Sequence, residues 1–187
     1  MRTHQQGQSA LLLLDVIDVL NELKIDYAVI GAMAASFYGV VRASLDADAV
    51  VSFKENSEES QRLTERLKKR GFKVTERHAD RGDPLRGLLV VEDGYQNRVD
   101  LIKGIRGMNE ELFLRTVKVP FSDSKIQIVS VEDFIAMKIF AGGPQDIQDV
   151  RNVLKVSTHQ INFKLLRTLS LQYGKKVLKA LADLLKE

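Results

Sequence analysis

Apolar residues recur at helical spacing through residues 9–24, and the leucine run 11–14 is interrupted by Asp15 and Asp18, so this stretch reads as an amphipathic helix. The polar residues 1–8 before it are expected to be unordered. Residues 27–30 form a short apolar run ending at Gly31, the pattern of a buried strand. Residues 32–38 are small helix formers that stop at Gly39. Together they predict strand, glycine turn, helix. Residues 45–53 (LDADAVVSF) predict a second strand, 57–70 a charged amphipathic helix closed by Gly71, and 72–77 a third strand. The Gly, Asp and Pro content of 78–87 predicts a loop. Residues 88–92 and 98–103 flank Asp93-Gly94 as a hairpin, and 117–129 hold two more strands around Ser122-Asp123.

The pattern changes at Ser130. Ser130 followed by Asp133 opens a helix over 131–141. Gly142-Gly143 ends it, and Pro144 suits the first turn of another helix reaching about residue 155. Residues 160–186 read as helix, in two pieces meeting near Gly174. The expected fold is therefore α/β (α+β): a mixed sheet with helices packed on it over residues 1–129, then a helical part, 130–187, packed on that core.

Composition narrows the classes. The chain has 187 residues, 44% of them apolar and 28% charged, which suits a globular protein with a real core. It has no cysteine, which excludes a disulfide framework, a thiolate zinc site and a cysteine nucleophile. No stretch approaches the roughly 20 apolar residues of a membrane span, and the leucine run lacks a signal-peptide pattern, so a cytoplasmic protein is expected. The net charge of +3 hides local clusters at Lys68-Lys69-Arg70 and at Lys175, Lys176 and Lys179. These suit a nucleic-acid partner or simply solvated helix faces.

Asp46 and Asp48 carry the strongest chemical signal. Two residues apart on a strand they point the same way, roughly 7 Å apart at Cα. That lets both carboxylates reach one or two hard cations, the arrangement used when metals about 4 Å apart stabilise attacking and leaving oxygens in nucleotidyl transfer. Asp100, within the apolar run 99–102, needs a partner of its own, either a metal shared with Asp46 and Asp48 or a nearby cation. On pattern alone a turn residue and a strand-end charge would also account for Asp46 and Asp48. Gly31 suits close approach of a phosphate, and equally any tight strand-to-helix turn.

Residues 27–51 (YAVIGAMAASFYGVVRASLDADAVV), 98–102 (RVDLI) and 130–154 (SVEDFIAMKIFAGGPQDIQDVRNVL) together resemble the minimal nucleotidyltransferase superfamily related to DNA polymerase beta, and within it the AbiEii-like toxins of type IV toxin–antitoxin systems. The resemblance implies that Asp46 and Asp48 bind Mg²⁺ (or Mn²⁺) and that Asp100 is the third carboxylate. It places Gly31 and Ala32 at the phosphate-binding turn, and Arg42 and Ser44 at the basic and hydroxyl positions ahead of the acidic pair. Lys138 and Asp146, with Asp149 after it, match a later Lys…Asp-x-x-Asp pattern facing the nucleotide. Spacing alone allows plainer roles: an ion pair for Lys138, dipole compensation for Asp146, a surface ion pair for Asp149. Two positions depart from the pattern: Ala32, where Gly or Ser is frequent, and Leu45, where a polar residue is frequent.

The implied activity is transfer of a nucleoside monophosphate from a nucleoside triphosphate to a hydroxyl on a tRNA 3′ end or a protein, as in a toxin with an antitoxin partner. Two rivals stand beside it. One is a weakly active or inactive nucleotide-binding member, which Ala32 keeps open. The other is a small nucleic-acid-binding module using the basic clusters.

Overall fold

The computed structural model describes residues 1–53, 58–78, 80 and 82–186. A seven-stranded mixed sheet runs through it in the order β3-β4-β5-β2-β1-β7-β6. In chain order the elements are α1 (Ser9–Leu23), β1 (Tyr27–Val29), α2 (Gly31–Phe37), β2 (Asp46–Val51), α3 (Glu59–Lys69), β3 (Lys73–His78), β4 (Gly87–Glu92) and β5 (Arg98–Ile102). A 3-10 helix (Glu110–Arg115) follows, then β6 (Val117–Phe121), β7 (Ser124–Ile128), α4 (Val131–Ala141), α5 (Pro144–Val156), α6 (Phe163–Tyr173) and α7 (Lys175–Leu184).

β1 and β2 are antiparallel, as are β3 and β4, β4 and β5, and β6 and β7; β2 lies parallel to β5, and β1 to β7. The expected hairpins at 93–94 and 122–123 are both present. The first is shaped by the Asp93 carboxylate, which accepts from the backbone N–H groups of Tyr95 and Asn97.

Apolar side chains decide which elements are central. Ala28, Val29, Ala49, Val50, Val51, Leu89, Val91, Val99 and Leu101 on the inner strands are fully buried. Leu12, Leu13 and Leu14 of α1 are buried with them, so the leucine run belongs to the core. α4 is buried on nearly every side. Tyr38 packs its ring near Phe134, with its hydroxyl donating to the Val129 carbonyl at 2.7 Å. The start of α4 has the expected box: Ser130 Oγ accepts from the Asp133 N–H, while the hydroxyl donates to the Asp133 carboxylate. Arg115 forks onto that carboxylate at 2.8 Å through both nitrogens, tying the 3-10 helix to α4.

Two expectations are corrected, and a third lies partly outside the described residues. The N-terminal residues are ordered, because Arg2 pairs with Asp15 and Asp18, Thr3 is buried, and the Gln8 N–H donates to Asn97. The helix over 57–70 is described from Glu59 to Lys69, and its expected start at Ser57 lies outside the described residues. The loop over 78–87 is shorter at both ends, since His78 pairs with Gly87 as the last rung of β3 and β4; Ala79 and Arg81 lie outside the described residues. No helix among the described residues is long and apolar enough to cross a membrane.

Candidate active site

β2 and β5 are neighbours in parallel register, with Asp48 opposite Asp100 and Asp46 opposite Arg98. Period-two alternation then puts Asp46, Asp48, Arg98 and Asp100 on one face. One oxygen from each of the three carboxylates lies within 4.8 Å of the others. Among the described residues this is the one group of three acidic or histidine side chains that converges in this way.

Ser9, at the start of α1, holds the entry to both strands. Its hydroxyl donates to the Leu45 carbonyl at 2.6 Å and accepts from the Arg98 N–H at 3.1 Å. Gly31 closes the site from the other side. Its φ is 63°, and a Cβ on it would overlap the Asp48 carboxylate, so both the turn and the close approach require glycine. The Ile30 N–H also donates to the Asp48 carbonyl at 3.0 Å.

Burial is the main cause that pushes the Asp48 carboxyl up to about 6, and the charges of Asp46 and Asp100 add to it; Lys138 and Arg42 act in the opposite sense. Arg98 forks onto Asp100 at 2.7 and 2.8 Å, and this bonding raises the pKa of Arg98. Asp100 thus has a cationic partner as well as a place in the carboxylate group. Asp46 accepts from the Ser44 hydroxyl at 2.7 Å.

Lys138 on α4 reaches Asp146 at 2.7 Å and Asp149 at 3.0 Å. Asp149 is fully buried. Its second cation is Arg42, at 3.4 Å, and Gln145 donates to its other oxygen at 2.9 Å. The contacts of Arg42 and Lys138 with Asp149 Oδ2 have ion-pair distances without hydrogen-bond angles. This corrects the expectation of a surface ion pair at Asp149. The face it shares with buried Val153, four residues on, is the sequence signal for its burial.

Two clefts leave the carboxylates in different directions. One, of about 240 Å³, is lined by Gly31, Asp48, Arg42, Lys138 and Asp146 at its polar end, and by apolar side chains including Leu85, Ile105, Phe134 and Phe140. The other, of about 430 Å³, begins at Asp46 and Ser44 and runs between α2 and the β6–β7 hairpin. Arg42 lines both. Of the residues singled out in the sequence, Gly31, Asp48, Lys138 and Asp146 face the first cleft, while Ala32, Ser44 and Asp46 face the second. Ser9 and Arg98 were not anticipated. Arg98 has a readable signal, since it lies two residues before Asp100 on the same strand; the role of Ser9 depends on a contact 89 residues away.

The donor set fits a divalent cation. It consists wholly of carboxylate oxygens, held close together and short of positive charge at Asp48, which suits Mg²⁺ or a similar hard ion.

A mixed sheet carrying this acidic group beside a glycine turn defines a protein of the nucleotidyltransferase class. Residues 12–184 match the family described as "Nucleotidyltransferase of unknown function (DUF6036)", and the chain belongs to that family. Among curated proteins none matches the sequence. Similar solved structures include an antigenic nucleotidyltransferase-like protein from Paracoccidioides brasiliensis, with 16% identity, coverage of 97% of this chain and 89% of that one, and a TM-score of 0.55. The antibiotic-resistance factor ANT(2″)-Ia, in complex with adenylyl-2″-tobramycin, is 14% identical, with coverage of 87% and 94% and a TM-score of 0.57. The lincosamide antibiotic adenylyltransferase LnuA, with lincomycin bound, is 13% identical, with coverage of 83% and 100% and a TM-score of 0.50. At these identities the likeness is one of fold.

Proposed function

We propose that the chain transfers a nucleoside monophosphate from a nucleoside triphosphate to an acceptor hydroxyl, with Asp46, Asp48 and Asp100 holding Mg²⁺ or Mn²⁺. The observation that carries this reading is the convergence of the three carboxylates beside Gly31, where a cleft offers cations to phosphates and apolar walls to a base. A bound divalent ion would neutralise charge that develops on the phosphates.

The chain's own residues do the rest. The glycine turn, having no side chain, leaves the Asp48 carboxylate close to the backbone at the polar end of the first cleft, where the phosphates would lie. Lys138 and Arg42 face the triphosphate from the rim, and Asp146 and Asp149 hold both cations in place. The acceptor oxygen bonds to the α-phosphorus, the bond from that phosphorus to the bridging oxygen breaks, and pyrophosphate leaves with the electron pair. The hydroxyl proton passes to solvent beside the carboxylates.

The AbiEii-like relationship, an antitoxin partner and the division of the chain at residue 129 belong to this proposal on the strength of the residue pattern alone. Among the described residues no feature favours a tRNA or protein acceptor over another hydroxyl. Of the proteins of similar fold, LnuA is a lincosamide antibiotic adenylyltransferase and ANT(2″)-Ia holds adenylyl-2″-tobramycin, so a small-molecule acceptor is compatible with this fold.

The test uses each of the four α-labelled nucleoside triphosphates with Mg²⁺ and a cell extract, comparing the native chain with Asp46→Ala/Asp48→Ala. Label is expected to move from one triphosphate to an acceptor only with the native chain and only with a divalent ion. If the double variant labels as well as the native chain, the reading is wrong.

A further inference from the structure

We propose, resting on the transferase reading above, that the acceptor is a small organic molecule with a hydroxyl and an apolar face, bound in the cleft that opens at Asp46. The argument starts from the shape of the site. The 240 Å³ cleft contains Asp48 with Lys138, Asp146 and the Gly31 turn, which are the groups a triphosphate uses. The 430 Å³ cleft starts at Asp46 and shares only Arg42 with the lining of the first. A nucleotide in the first and an acceptor in the second meet at the carboxylates, with the attacking oxygen and the leaving pyrophosphate on opposite sides. Transfer forms the bond from acceptor oxygen to α-phosphorus, breaks the bond to the β-phosphate, releases pyrophosphate with the electron pair and gives the hydroxyl proton to solvent.

The lining decides the class of acceptor. Met33 and Phe37 of α2 form one wall, and Val119, Phe121, Ile126 and Ile128 of the hairpin form the other. The volume lies in the range of small-molecule sites, which are mostly apolar with a few directing polar groups. At the reacting end Ser44 donates to Asp46, and Ser36 of α2 adds a further hydroxyl to the lining. Among the described residues of the lining Arg42 is the only cation, and Asp149 engages it. A nucleic-acid acceptor needs cations along its backbone, since phosphate neutralisation supplies most of its binding. The hairpin has two, Lys118 and Lys125, but strand alternation points them away from the side of Val119 and Ile126.

The experiment incubates the protein with Mg²⁺, α-labelled triphosphates and one of three acceptor pools: the small-molecule fraction of a cell extract, total tRNA, or total protein. Binding of fluorescent analogues of each of the four triphosphates with Mg²⁺ is measured in parallel. Label is expected in a new low-mass product from the first pool alone. Phe121→Arg should cut that labelling about tenfold or more by placing an unpaired charge in the cleft, and Phe121→Ser by less, while both bind the analogues as the native chain does. Label on tRNA or protein overturns the inference and leaves the transferase reading intact. Retained analogue binding with no low-mass product also overturns it. Absence of Mg²⁺-dependent binding of all four analogues by the native chain instead overturns the transferase reading beneath it.

Discussion

A carboxylate on an inner strand, with a glycine pressed against it and two more carboxylates nearby, has little water to stabilise its charge. Asp48 is in that position, and its carboxyl is pushed from 3.8 up to about 6. The folded chain therefore keeps a proton that the unfolded chain has already released. The contribution of Asp48 to metal-free stability falls as pH rises from 3.8 to about 6, and levels off above that. A divalent ion competes for the same oxygens, so its affinity follows the opposite course. Mg²⁺ affinity should be flat above pH of about 6 and drop up to about tenfold per unit below it, with a proton released on binding. Titration calorimetry in buffers of different ionisation heat measures both quantities. An affinity that is the same at both ends of this window would rule out Asp48 as a ligand. Asp48→Asn should abolish the pH dependence together with the tight binding.

At the scale of elements, the site depends on two parallel strands starting level with each other. The Ser9 hydroxyl bridges the Leu45 carbonyl and the Arg98 N–H, one residue before Asp46 and two before Asp100. Ser9→Ala removes that partner from two backbone groups on exposed residues, where water replaces part of what is lost. The expected cost is about 0.5–1.5 kcal/mol of stability in a denaturant titration, with a several-fold loss of Mg²⁺ affinity. Ser9→Thr keeps the hydroxyl and should recover most of both. If Ser9→Ala lowers stability and leaves metal affinity at the native value, the bridge supports the fold without aligning the carboxylates.

The same scale shows what the sequence could and could not reveal. Strand alternation at Asp46 and Asp48, the Ser130 box and the stop at Gly142-Gly143-Pro144 are local signals, and the structure has each of them. Asp100 was readable as a carboxylate in an apolar strand, but its place beside Asp48 depends on pairing strands about 50 residues apart. The order of residues 1–8 and the role of Ser9 likewise come from contacts with residues 97 and 98. Such long-range pairings leave no periodicity to read. Asp149 was the nearer miss, because the helix face it shares with Val153 contains the information.

Across the whole molecule, the cleft proposed for the nucleotide draws on both ends of the chain. Gly31, Arg42 and Asp48 come from the sheet region, and Lys138 and Asp146 from α4 and α5. A triphosphate bound there links the sheet to the helices, and binding to the folded state alone stabilises it by mass action, about 2.7 kcal/mol at one hundred times Kd. Thermal unfolding with Mg²⁺ alone, triphosphate alone and both together separates the contributions. Both together should raise the midpoint by several degrees, well beyond the sum of the separate shifts, because the phosphates complete the coordination that three carboxylates begin. Asp46→Ala/Asp48→Ala should lose this excess shift. Lys138→Met should shrink it without abolishing the response to Mg²⁺ alone, since Lys138 pairs with Asp146 and Asp149 and acts on Asp48 only through its charge. A small nucleic-acid-binding module of the same charge would behave differently, stabilised by oligonucleotide in a salt-dependent way and indifferent to Mg²⁺. An excess shift that survives in the Asp46→Ala/Asp48→Ala variant would mean that the triphosphate binds elsewhere on the molecule, and that the acidic group is not the site it completes.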